Sequence, residues 1–160
     1  MLLKNKNAVI YGVSDSMAGA FGRAFAREGA RVFLTGRSLE KVEKVANEII
    51  AQGGKAEAAQ VDALNEKEIA DHLEAVLAVA GTVDISFNGI CIQDIQDIPL
   101  IDMSLEDFVR PVTIAMQTQF LTTTAAGRIM VKQGSGVILS LTATPGGVGY
   151  PLVGGFGPAC

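Results

Sequence analysis

The sequence predicts an α/β chain. Its expected form is a doubly wound parallel sheet of five strands in the order 3-2-1-4-5, in one domain over residues 1–160. Three observations lead there. Strand-like and helix-like segments alternate along the chain, the pattern of a parallel sheet with helices on both faces. A glycine-rich turn follows the first strand-like run and opens a helix-like one. Hydrophobic residues make up 49% of the chain and charged ones only 19%, which is a rich core and argues against disorder. Right-handed crossovers then make the doubly wound topology the main candidate.

The elements follow in order. Residues 7–11 (NAVIY) are apolar and β-branched, and the run ends at Gly12. Residues 21–28 have helical spacing, and Gly29 is placed as a C-terminal cap. Residues 31–35 (RVFLT) read as the second strand. Ser38 is a candidate N-cap for a helix to about Ala51, stopped by Gly53 and Gly54. Residues 56–61 form a weaker strand. Asn65 and Glu68 match a capping box, opening a helix to about Ala80. Residues 83–87 read as the fourth strand. Ser104-x-x-Asp107 starts a turn or short helix, and Pro111 fits the first position of a longer helix to about Lys132. Residues 136–141 (GVILSL) are the fifth strand, followed by a stretch rich in glycine and proline. No repeat, linker or low-complexity tract interrupts this pattern.

Composition excludes several roles. No apolar run approaches the roughly 18 residues needed to span a bilayer, so no membrane partner is expected. The opening MLLKNKNAVI lacks the apolar region and cleavage site of a secretory leader. The two cysteines, Cys91 and Cys160, make no disulfide framework and have no metal-ligand spacing. A cytoplasmic location and no metal are therefore expected. Net charge is −4 with no Lys/Arg cluster, which argues against nucleic acid as a partner.

A ligand crevice is expected beyond the carboxyl ends of the strands, beside the first strand. The turn running from Gly12 to Gly22 follows a strand and precedes a helix. Small residues there let the backbone approach a pyrophosphate, and the helix start offers unpaired N–H groups and a positive dipole end. Gly12, Ser14, Ala18 and Gly19 are the candidate phosphate-side residues. The competing reading is a strand–turn–helix whose glycines serve packing alone. Just after the second strand stands Arg37, with no acid in Thr35-Gly36-Arg37. An acid near this point holds a ribose 2′-hydroxyl, whereas an arginine accommodates a 2′-phosphate, so NADP(H) is favoured over NAD(H). A plain surface arginine is the alternative. Asp62 ends the third strand, where a carboxylate can accept from an adenine amino group or cap a helix. His72, the only histidine, is expected to be a solvated or satisfied helix residue.

The chain resembles the short-chain dehydrogenase/reductase family over nearly its whole length. The matching pieces are the turn from Gly12 to Gly22, Val61-Asp62, Gly81-Thr-Val-Asp84-Ile85 and Asn88-Gly89-Ile90-Cys91. The resemblance implies a Rossmann fold, and adds Asn88 and Gly89 as cofactor-side positions. The spacing Gly12, then Ala18-x-Ala20-x-Gly22, is similar to the divergent turn of enoyl-acyl-carrier-protein reductases, and Tyr11 stands where the family usually has threonine.

The family's chemistry rests on Asn, Ser, Tyr and Lys, and the resemblance places each. The Asn position, seven residues after Phe108, is Ala115, with Phe120 in register five further on. The Ser position, after the fifth strand, is Ala143. The Tyr position is Phe156 and the Lys position is Cys160. None of these carries out the family's proton transfers, so the expected catalytic set is empty. Thr142 and Tyr150 are the weak substitutes. The resemblance also implies further helices and strands beyond residue 160, and a homo-oligomer built through the helix around Pro111–Lys132. The expected function is an NADP(H)-binding oxidoreductase of doubtful competence. Its alternative is a non-catalytic relative that keeps the dinucleotide as a sensor or structural ligand. The substrate is not legible.

Overall fold

Strand β1 (Asn7–Tyr11) lies at the centre of the sheet because it is apolar on both sides. Ala8, Val9, Ile10 and Tyr11 are all fully buried. The structure is a computed structural model and describes residues 1–15, 17–143 and 151–160. The other strands are β2 (Arg31–Gly36), β3 (Lys55–Gln60), β4 (Ile85–Asn88) and β5 (Val137–Ser140). They pair in parallel in the order β3-β2-β1-β4-β5, the predicted order. The helices are α1 (Met17–Arg27), α2 (Leu39–Ala51), α3 (Glu66–Ala80), α4 (Leu105–Gln133) and the short α5 (Phe156–Ala159).

Strand alternation sorts the core into two layers. Ala8 and Ile10 pack with Val32, Leu34 and Phe87 against α1 and α2. Val9 and Tyr11 pack with Phe33, Val61 and residues of α3 and α4 on the other face. Register places Ile10 beside both Leu34 and Phe87, and Tyr11 beside Asn88. At the other end of the strands, Asp84 accepts from the Asn7 amide at 2.9 Å and from Lys6 at 3.1 Å. The Gln133 side chain pairs with Val83 as a strand would, one bond in each direction at 3.0 Å.

Some local expectations hold in the structure. Asn65 caps α3, its Oδ1 accepting from the Lys67 and Glu68 amides and its side-chain amide donating to Glu68 at 2.9 Å, but its backbone amide donates to the Asp62 carbonyl, so the reciprocal bond of a capping box is not made. Gly29 and Gly53, expected to end the first two helices, both take the left-handed conformation just past α1 and α2. Others are corrected. Ser38 stands at the N-cap of α2 but makes no side-chain capping bond. Helix α1 begins at Met17 rather than residue 21, because the glycine-rich turn feeds directly into it. Pro111 does not open the long helix; it is the seventh residue of a helix that starts at Leu105. Ser104 provides the start instead, accepting from the Asp107 amide at 3.1 Å. Arg110 then braces that first stretch through Glu106 and Asp107, so the bond that the proline forgoes at the Asp107 carbonyl is tolerated. His72 is half-buried, so the expected solvated or satisfied histidine holds only in part: its Nδ1 is buried with no partner among the described residues. Strand β5 forms an edge with all four residues exposed. Among the described residues, no helix is long and apolar enough to cross a membrane.

Candidate functional site

The carboxyl ends of β1, β2, β3 and β4 are tied together by backbone bonds. The Val13 amide donates to Thr35 O at 2.8 Å, Val61 to Gly36 O at 3.1 Å and Gly89 to Tyr11 O at 3.1 Å. Gly12 sits in this weave at φ +79°, and a Cβ there would lie 2.7 Å from Ile90 Cα and 2.9 Å from Gly89 O. Only glycine takes both the dihedral and the approach. Gly19 is equally constrained, since a Cβ would strike the Ser14 carbonyl. These contacts close the turn and leave an open crevice of about 250 Å³ above it.

Of the predicted residues, Gly12, Ser14, Arg37 and Asp62 line this crevice. Ala18, Gly19, Asn88 and Gly89 stand behind it instead. Ala18 is fully buried, and a Cβ on Gly89 would sit 2.8 Å from the Ala18 Cβ. Asn88 is buried too; it donates to Thr122 Oγ1 at 3.3 Å and accepts from the Ile90 amide at 3.1 Å. These four shape the wall behind the lining residues.

The structure adds lining residues that sequence reasoning missed: Gly36, Ser38, Lys41, Ile90, Ile114 and Thr118 among them. Ile90, Ile114 and Thr118 come from the loop after β4 and from α4, and nothing local in the sequence marks them. Lys41 carried a signal, a cation in the first turn of a helix, where the dipole disfavours it.

Electrostatics favour an anion here. Asp15, in the turn, is paired with Lys44 at 2.8 Å. That hydrogen bond and the nearby cations hold its carboxyl below the usual range. The negative charge in the turn is thus matched. Asp62 is tied locally, accepting from the Leu64 amide at 3.0 Å. The Arg37 carbonyl accepts from Gln60 at 3.0 Å, which fixes the backbone at that corner. Arg37, Gln60, Asp62 and Glu68 also surround a second cavity that adjoins the crevice at Arg37 and Asp62.

A dinucleotide fits this donor set. A glycine turn that a Cβ would block admits a pyrophosphate, and cationic side chains line the same crevice.

The four positions for proton transfer are brought to the fifth-strand side of the sheet. Ala115 is buried in α4, and Ala143 is exposed beyond β5. Phe156 opens α5, and Cys160 follows its end with an exposed thiol. The Thr142 hydroxyl donates to the Cys160 carbonyl at 2.5 Å, so its proton is already engaged. Tyr150 lies outside the described residues. Among the described residues, no group of three or more His, Cys, Asp or Glu side chains could hold a metal ion.

Comparison with known proteins agrees with this geometry. A family model described as short chain dehydrogenase matches residues 6–158. A 3-oxoacyl-[acyl-carrier-protein] reductase from Synechocystis sp. is 31% identical over 145 residues, covering 90% of this chain and 58% of the reductase. The chain thus spans little more than half the length of that relative. A solved metagenomic short-chain oxidoreductase in complex with NADP superposes with TM-score 0.86 at 26% identity, covering 99% of this chain and 72% of the other. NAD+-bound xylitol dehydrogenase superposes with TM-score 0.91 at 24% identity, over 99% of this chain and 61% of that one, and shows the fold alone.

Proposed function

Because the chain belongs to the short chain dehydrogenase family, we propose that it is an NADP(H)-binding oxidoreductase of the short-chain type. The dinucleotide lies in the crevice above the turn at Gly12. The observation that carries this is Arg37. Its side chain lines the crevice just beyond β2, and no described residue forms an ion pair with its guanidinium. An unengaged guanidinium at this corner suits a planar, two-bond grip on a phosphate ester.

In this reading the turn at Gly12 and Ser14 receives the pyrophosphate, Arg37 the 2′-phosphate and Asp62 the adenine amino group. Ala18, Gly19, Asn88 and Gly89 keep the turn and the loop after β4 at the required separation. The nicotinamide supplies the hydride when bound. At the four proton-transfer positions Ala115, Ala143 and Phe156 carry no titratable group, and Cys160 presents a thiol in place of an ammonium. That quartet favours a second reading, a non-catalytic member that keeps the dinucleotide as a sensor or structural ligand. The two readings share the site and part on turnover.

Calorimetric titration with NADPH and NADH tests the shared part. The wild-type chain is expected to bind NADPH more tightly. Arg37→Asp should weaken NADPH by about tenfold or more and spare NADH. Equal affinity for the two cofactors in the wild type would refute the NADP(H) assignment. NADPH oxidation across a panel of carbonyl and enoyl compounds separates oxidoreductase from sensor.

Self-association through α4 belongs to the same proposal. Val109, Met116, Phe120 and Val131 form an exposed apolar stripe along that helix. A cytoplasmic setting is proposed on the two free cysteines.

A further inference from the structure

We infer that Lys41 is a second cation of the phosphate-ester site, acting with Arg37 to set the preference for a 2′-phosphorylated dinucleotide. This rests on the NADP(H) reading above and extends it to a residue outside the segment that follows β2.

Four observations converge on Lys41. It lines the same crevice as Arg37 and Ser38, at the corner where β2 passes into α2. Its ammonium forms no ion pair among the described residues. The other cations near the turn are committed: Lys44 to Asp15 at 2.8 Å, and Arg23 to Glu48 at 3.0 Å. Lys41 acts on the Asp15 carboxylate only at longer range, so the positive charge at this corner held in no close ion pair among the described residues is that of Arg37 and Lys41. Finally, Lys41 is the third residue of α2, in the first turn, where a cation opposes the helix dipole. An anion held beside it reverses that local penalty. The Ser38 hydroxyl, which makes no capping bond, adds a donor at the same corner.

The chemistry that two cations and a hydroxyl recognise is a phosphate monoester, doubly charged near neutral pH. Arg37 offers a planar fork, and Lys41 a compact charge on a flexible stem that reaches the same group from the helix side. The hydroxyl of an unphosphorylated ribose gives neither cation a partner. Lys41 therefore discriminates between the two cofactors more than it adds to binding of both.

Titrations of NADPH and NADH into the wild type, Lys41→Ala, Lys41→Arg and the double variant Arg37→Ala/Lys41→Ala test this. Lys41→Ala should weaken NADPH by about tenfold and leave NADH within about twofold. Lys41→Arg should recover most of the loss, and the double variant should show no preference. A circular dichroism melt accompanies each variant, and Lys41 is exposed, so the fold should be kept. If the wild type binds neither cofactor, or binds both equally, the NADP(H) reading fails and this inference fails with it. If the wild type prefers NADPH and Lys41→Ala changes neither affinity, or lowers both alike, Lys41 has no discriminating role while the cofactor reading stands.

Discussion

Gly12 and Ile90 approach so closely that no side chain fits between them: a Cβ on Gly12 would lie 2.7 Å from Ile90 Cα. The contact joins the end of β1 to the loop after β4, and both residues line the crevice. Gly12→Ala must therefore push two backbone segments apart, and must also hold alanine at φ +79°. The expected cost is at least about 2 kcal/mol of stability, with loss of dinucleotide binding. Urea unfolding and an NADPH titration check both. An alanine variant that binds as tightly as the wild type would show that the approach is not required.

The crevice wall depends on a buried chain of hydrogen bonds. The Ile90 amide donates to Asn88, Asn88 donates to Thr122, and the Thr122 hydroxyl donates to the Thr118 carbonyl at 2.8 Å. Thr122→Val keeps the shape but strands the Asn88 amide in the core. A loss of about 1–3 kcal/mol is expected. Thr122→Ser, which keeps the hydroxyl, should lose less. Chemical denaturation of the pair decides it, and an equal loss in both would point to packing alone.

Tyr11 is fully buried, and its hydroxyl has no partner among the described residues. Burial pushes that hydroxyl well above its usual titration range, so it stays neutral. Tyr11→Phe removes a desolvated polar group without changing the ring. The variant should be as stable as the wild type or more so, by about 1 kcal/mol, or roughly 3 °C in Tm. A marked drop in Tm would reveal a partner for the hydroxyl.

His72 gives stability an acid limit. Burial pulls its imidazole down to about 4, and the Glu57 charge only partly opposes this. The unfolded chain, near 6.5, therefore binds the proton first as pH falls. Stability should be unaffected by this group above pH 6.5 and should decline between 6.5 and about 4. From pH 7 to pH 5 the decline is about 2 kcal/mol. Replacing the histidine, as in His72→Leu, should flatten the profile over that window in urea titrations. A His72→Leu profile as steep as the wild type would assign the loss to other groups.

Below that window Asp84 adds to the effect. Partial burial raises its carboxyl, but hydrogen bonds from the Asn7 amide, Lys6 and Thr82 outweigh this and lower it overall. Its contribution is complete above the unfolded carboxylate value and is lost as pH falls through the lowered one.

The sequence by itself determined the five strands and their order. Short apolar, β-branched runs, capping residues such as Asn65, and glycines at helix ends are local signals with local physical causes. It also showed Gly12, Ser14, Arg37 and Asp62, because strand ends and turns announce themselves in the chain. Where Pro111 was concerned, a local preference misled. A serine cap seven residues before the expected start, together with ion pairs at Arg110, outweighs the proline's liking for a first position. Only the tertiary structure decided what completes the crevice. Ile90, Ile114 and Thr118 reach it through the pairing of β1 with β4 and the return of α4 across the sheet. It also set Ala18, Gly19, Asn88 and Gly89 in the closely packed wall behind the crevice. Which cations stay unpaired among the described residues, and that the Tyr11 hydroxyl and the His72 Nδ1 are buried without partners among them, depends on packing between elements distant in sequence. Composition and spacing do not encode those distances; the fold does.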